Sequence, residues 1–106
     1  MLKYQITGTY TAEGMKGVLK DGGSGRKAAV ERVVASVGGT LESFYYGAGS
    51  GDFFIVANLP DAAAATSIAV TVVASGSVSF HSTQLITVEE MDAAVKLTPS
   101  YRRPGQ

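Results

Sequence analysis

Between Phe44 and Val56 two aromatic, β-favouring runs, Phe44-Tyr45-Tyr46 and Phe53-Phe54-Ile55-Val56, flank the glycine-rich link Gly47-Ala48-Gly49-Ser50-Gly51-Asp52. Such a pattern is a β-hairpin signal, because glycines supply the turn conformations and aromatic and β-branched residues suit a pleated surface. The arms run over 40–47 and 52–59, and Asp52 puts a carboxylate at the mouth. A five-residue connection allows Tyr46 to pair with Asp52, which fixes the face of every hairpin residue, since side chains alternate along a strand.

The rest of the chain builds outward from this hairpin. Tyr4, Ile6, Gly8 and Tyr10 alternate with Lys3, Gln5, Thr7 and Thr9, the period of a strand with unlike faces. Residues 12–20 predict a short helix that Asp21-Gly22-Gly23 breaks. Ser24 then caps a second helix whose stripe is Ala29, Val30, Val33, Val34 and Val37, ending at Gly38-Gly39. Past the hairpin, Asp61 is the cap of a helix with Ala64, Ala65, Ile68, Ala69, Val72 and Val73 on its buried side, stopped at Ser75-Gly76. Residues 77–87 predict a last strand, and Thr87-Val88-Glu89-Glu90 is a capping box for a helix over 88–97. Residues 1–98 thus make one domain, and 99–106, beginning at Pro99, an extended tail.

The order β, α, β, β, α, β plus a terminal helix predicts an α+β, ferredoxin-like antiparallel sheet with its helices on one face. With Tyr46 opposite Asp52, one face collects Tyr4, Ile6, Leu41, Tyr45, Phe53, Ile55, Ala57, Val78 and Phe80 for the helices. The other collects Gln5, Thr7, Thr9, Phe44, Tyr46, Asp52, Phe54, Val56, Ser79, His81 and Thr83. This second face is aromatic in the middle and polar around it. Closing it against the same face of a second subunit gives a dimeric α/β barrel with a partly polar interior.

Composition narrows the functional classes. In 106 residues there is room for one domain and one modest core. Nine Lys+Arg balance nine Asp+Glu without a block of like charge, which argues against nucleic acid and anionic membranes as partners. No cysteine and a single histidine leave no thiolate set and no histidine cluster for a metal, and no cofactor is expected. A charged fraction of 17% fits a chain that hides surface in a homodimer or higher homo-oligomer. The amino-terminal run enters a strand without a long apolar core or small-residue cleavage site, so the expected location is the cytoplasm.

Several segments together resemble the GYD family of small bacterial proteins: Thr7-Gly8-Thr9-Tyr10-Thr11-Ala12-Glu13-Gly14, Gly22-Gly23-Ser24-Gly25-Arg26, Phe44-Tyr45-Tyr46, Gly49-Ser50-Gly51-Asp52, and Tyr101-Arg102-Arg103-Pro104-Gly105. The similarity spans nearly the whole chain and rests on the order of the motifs. It implies a ferredoxin-like, dimeric α/β barrel and no particular reaction. The family is named for a Gly-Tyr-Asp signature at this hairpin; here Gly51 takes the tyrosine's place and Asp52 keeps the acid's.

Candidate chemistry gathers on the uncovered face. Asp52 is able to serve as a general base or ligand anchor, or to cap its own glycine turn. His81, on the same face, titrates near neutrality, although a lone strand histidine also occurs as a packed or solvated residue. With Thr7, Tyr46 and Phe54 these residues would line a small-molecule site in which desolvation raises the carboxylate pKa. The leading expectation is a non-enzymatic homo-oligomeric module that binds a small aromatic or polar metabolite or serves assembly. The alternative is a cofactor-independent oxygenase or isomerase with Asp52 or His81 as proton carrier. Asp21-Gly22-Gly23-Ser24-Gly25-Arg26-Lys27 lacks a phosphate-loop pattern and is read as a helix cap with solvated cations. Arg102-Arg103 either clasps a neighbouring subunit or is a solvated tail, and Glu89, Glu90 and Asp92 complement a helix dipole.

Overall fold

The computed structural model describes residues 1–106 and has the element order β1 (Leu2–Thr9), α1 (Ala12–Ser36), β2 (Thr40–Tyr46), β3 (Asp52–Leu59), α2 (Ala62–Ala74), β4 (His81–Leu85) and α3 (Val88–Val95). The four strands form one antiparallel sheet in the order β2-β3-β1-β4, the ferredoxin-like arrangement expected from the order of elements. No helix is long and apolar enough to cross a membrane.

Helix boundaries follow local chemistry. Thr11 caps α1 by accepting from the Gly14 amide, and Gly22, at φ 73° and ψ 171°, kinks it where Asp21-Gly22-Gly23 predicts a break. The two helices expected there meet at this kink, and Ser24, expected to cap the second, lies inside α1. At its end Gly38 turns left-handed, its amide donating to Ala35 O and that of Gly39 to Val34 O, which returns the chain to β2. Asp61 caps α2 through the Ala64 amide at 2.9 Å. At α3 the reciprocal Thr87–Glu90 box forms, each bond 3.0 Å long. Because α3 has no buried residue, the box is one of its few anchors. Thr87→Ala should cost about 1 kcal/mol locally, so amide exchange in α3 should accelerate while the global melting temperature holds.

The core lies between the sheet and the helices. Tyr4, Ile6, Phe53, Ile55, Ala57 and Leu59 from β1 and β3 meet Val34 from α1 and Ala64, Ala65 and Ile68 from α2. Val78 and Phe80 pack on it just before β4. The regular ladder of β4 begins only at His81, but the same register continues through the Ser79 amide bond to Thr9 O, the Thr9 amide bond to Ser79 Oγ and the Tyr10–Val78 bridge. The last strand of 77–87 is thus partly irregular.

One expectation changes in the hairpin. Thr40 and Leu41 face Asn58 and Ala57, as the pairing of Tyr46 with Asp52 requires, but a β-bulge between Leu41 and Ser43 shifts the remainder by one residue. Tyr46 therefore faces Phe53, Tyr45 faces Phe54, and Phe44 faces Ile55. Phe44 and Tyr46 move to the helix side, where Phe44 packs on the core, and Tyr45 moves to the uncovered side, 68% exposed. The slip lets two aromatic rings be sheltered instead of one. It also frees Glu42 to reach Lys3 at 2.7 Å.

Candidate functional site: the uncovered sheet face

On the face away from the helices the pairing sets side chains in rows. The central row crosses all four strands as Tyr45, Phe54, Thr7 and His81. Beside it lie Asp52, Thr9 and Ser79 on one flank, and Ser43, Val56, Gln5 and Thr83 on the other. Phe54 is 43% exposed, so two adjacent aromatic rings stand in water at the middle of a polar frame.

Asp52 is engaged across the sheet. The Thr9 hydroxyl donates to its Oδ1 at 2.6 Å, and its own amide donates to Ser50 Oγ at 3.4 Å. The turn is closed by Gly47 N–H to Asp52 O, so the carboxylate is left to β1 rather than to the glycines of the link. Gly51 has φ 75°, a conformation in which a tyrosine side chain is strained, and its carbonyl accepts from the Tyr10 amide at 3.0 Å. The departure from the Gly-Tyr-Asp signature thus sits where this loop requires glycine. His81 is exposed, with Thr83 Oγ1 3.5 Å from its Nε2.

Of the five residues expected to line the site, Thr7, Phe54, His81 and Asp52 share this face, and Tyr46 does not. The bulge removes it: Tyr46 donates its hydroxyl to Gly23 O at 3.0 Å, on the helix side, and Tyr45 takes the place beside Phe54. Nor do Asp52 and His81 touch. Strand β1 separates β3 from β4 and Asp52 lies level with Thr9 but His81 with Thr7, so the two residues stand two strand spacings and two residues apart, about 12 Å. A one-subunit proton relay between them is not formed. No group of three or more His, Asp or Glu side chains is placed to hold a metal ion.

A second cluster, on the helix side, is one that sequence reasoning missed. Tyr10 stacks with Tyr46 at 6.5 Å between centroids and tilts against Phe53 at 5.2 Å, and Arg26 lies beside both phenols. Burial pushes the Tyr10 pKa above its ordinary 10.0, the neighbouring Tyr46 phenolate adds to this, and Arg26 opposes it; burial likewise raises Tyr46 against Arg26. The available signal was spacing, since Arg26, Ala29, Val30 and Val33 fall at i, i+3, i+4 and i+7, so Arg26 heads the apolar stripe. Reading it as a solvated cation overlooked that its aliphatic stem can be covered while its head stays polar.

A raised folded-state pKa means that the native state holds the phenolic proton more tightly than the unfolded chain. The associated stability is complete below about pH 10 and is lost as pH rises through the folded value. Alkaline unfolding should accordingly be shallower in Tyr10→Phe, and ultraviolet titration of Arg26→Met should show a later tyrosinate transition than wild type. Identical titration curves would contradict this placement of Arg26.

The family model for the GYD domain matches residues 4–95. The chain belongs to the GYD domain family. Comparison with curated proteins and with solved structures returned no match. The match covers the segments between residues 4 and 95, not the Tyr101-Arg102-Arg103-Pro104-Gly105 tail, and leaves the chemistry to be argued from the site.

Proposed function

We propose that this GYD domain protein is a homodimeric, non-enzymatic module whose two uncovered sheet faces pack together and enclose a partly polar space for a small aromatic or polar metabolite. The carrying observation is the surface left over by one subunit. A monomeric protein of 11.0 kDa exposes about 5,600 Å², whereas this chain exposes 7112 Å². The excess is about 1,500 Å², shared among the uncovered sheet face, α3 and the exposed tail 99–106, against the roughly 800 Å² each partner contributes to a standard interface.

The shape supports the same reading. A compact chain of this length has a radius of gyration of about 13 Å, against 16.9 Å here. Helix α3 contributes to the difference with exposed Val88, Met91 and Val95, apolar side chains suited to rest on a partner. Tyr45 and Phe54 then form the dry centre, while Thr7, His81, Thr9 and Asp52 supply hydroxyl, imidazole and carboxylate groups to a bound molecule. A cytoplasmic setting suits a core that uses no cysteine crosslinks. The alternative, a cofactor-independent oxygenase or isomerase, would have to rest on Asp52 or His81 acting singly, because the two side chains stand apart.

The ligand half of the proposal is tested by native mass spectrometry of the purified dimer followed by a fragment screen. Asp52→Asn and His81→Ala should each weaken the ligands found by about tenfold, the loss of one hydrogen bond to a charged or polar group. Ligands bound equally well by both variants would place the site elsewhere.

A further inference from the structure

A partly open pocket lies on the opposite side of the sheet, between β1, β3, α1 and α2. It measures about 210 Å³, and eleven of its twelve lining residues are hydrophobic, Val30, Val33, Phe53, Ile68, Val72 and Phe80 among them. The twelfth is Arg26. Arg26 also borders a separate, mainly polar recess of about 410 Å³ formed with Tyr10, Glu13, Ser75 and Ser77. Arg26 therefore lines both spaces, the oily chamber and the polar recess beside it.

We infer that this chamber binds a medium-chain or aryl-substituted monocarboxylate, its apolar body among the valines and phenylalanines and its carboxylate on Arg26. Three observations converge on that chemistry. A dry cavity of about 150 Å³ accepts benzene, and the same ratio gives this chamber on the order of eight carbon atoms. The only charged group on its wall is a cation whose planar fork matches a carboxylate. Its ion pair, to Asp21, is 3.6 Å long, beyond hydrogen-bond distance, which leaves donors for a closer acceptor. Glu13, the acid lining the neighbouring polar recess, pairs with Lys16 instead. Tyr10 lies beside Arg26 in the polar recess, while the Tyr46 hydroxyl is already given to Gly23 O. The site is independent of the dimer interface, because it lies wholly on the helix side of one subunit.

Octanoate and 1-octanol, identical in chain and differing in charge, are the probes. Titrated into isotopically labelled full-length protein, octanoate should bind saturably at one site per chain, shifting the Val30, Ile68 and Phe80 amides and leaving Thr7 and Phe54 unmoved. It should bind at least about tenfold tighter than 1-octanol, the size expected of charge-assisted hydrogen bonds. Arg26→Met should erase that preference while 1-octanol binding is kept, and Asp21→Asn, which frees the guanidinium, should tighten octanoate. Absence of saturable octanoate binding, equal affinity for the two probes, or shifts confined to the uncovered face would overturn the assignment. The wild-type comparison stands even if a variant unfolds.

Discussion

Phe54→Asp should convert the protein from dimer to monomer, weakening self-association about a thousand-fold while the fold survives. Phe54 stands beside Tyr45 at the centre of the uncovered face, so in a two-fold interface each substitution acts twice. A truncated central aromatic commonly costs about 2 kcal/mol or more, and a buried unpaired carboxylate adds its desolvation, giving about 4 kcal/mol per dimer. Phe54 contributes little to the core of its own subunit, being 43% exposed, so far-ultraviolet circular dichroism should be unchanged. Phe54→Leu is the control, keeping apolar area and dimer. A Phe54→Asp protein that sediments as wild type would show that this face is not the interface.

The second large effect belongs to the core. Leu59, fully buried at the end of β3, fills the space that Gly39 leaves open at the start of β2; a Cβ at Gly39 would lie 2.7 Å from Leu59 Cδ2 and 2.5 Å from Asn58 O. Leu59→Ala removes this packing where the backbone of Gly39 and the end of α1 are held by the left-handed turn at Gly38, so the void has little room to collapse. The expected loss is about 3 kcal/mol, a fall in melting temperature of roughly 15 °C at fixed protein concentration. Leu19→Ala, at a side chain 82% exposed, should leave the temperature unchanged. A loss below about 1 kcal/mol for Leu59→Ala would mean that the sheet and helices are not packed as described.

How much of this was readable in advance depended on how local the physics is. The caps at Asp61 and Thr87, the break at Gly22 and the stop at Gly38-Gly39 depend on neighbours in the chain, and each is where the residue types put it. The four-strand order followed from the succession of elements. The site was less accessible, because it depends on register, and a bulge at Glu42 has no signature in the residues around it. That single extra residue exchanged Tyr46 for Tyr45 and sent the Tyr46 hydroxyl to α1. Arg26 escaped for a related reason: its neighbours Gly25 and Lys27 suggest a solvated loop, and only its spacing to Val30 and Val33 places it on the chamber wall.

The two sides of the sheet carry separate roles in this account. The uncovered face supplies the interface and its polar enclosure, and the helix face supplies a chamber guarded by a cation. The enclosure proposed for the uncovered face depends on a second subunit, since Tyr45, Phe54 and the apolar residues of α3 have no cover within one chain. Sedimentation equilibrium of the wild-type protein at micromolar concentration measures this directly. The predicted result is a species of about twice 11.0 kDa, or a closed multiple of it. A single species at 11.0 kDa would contradict the enclosed barrel.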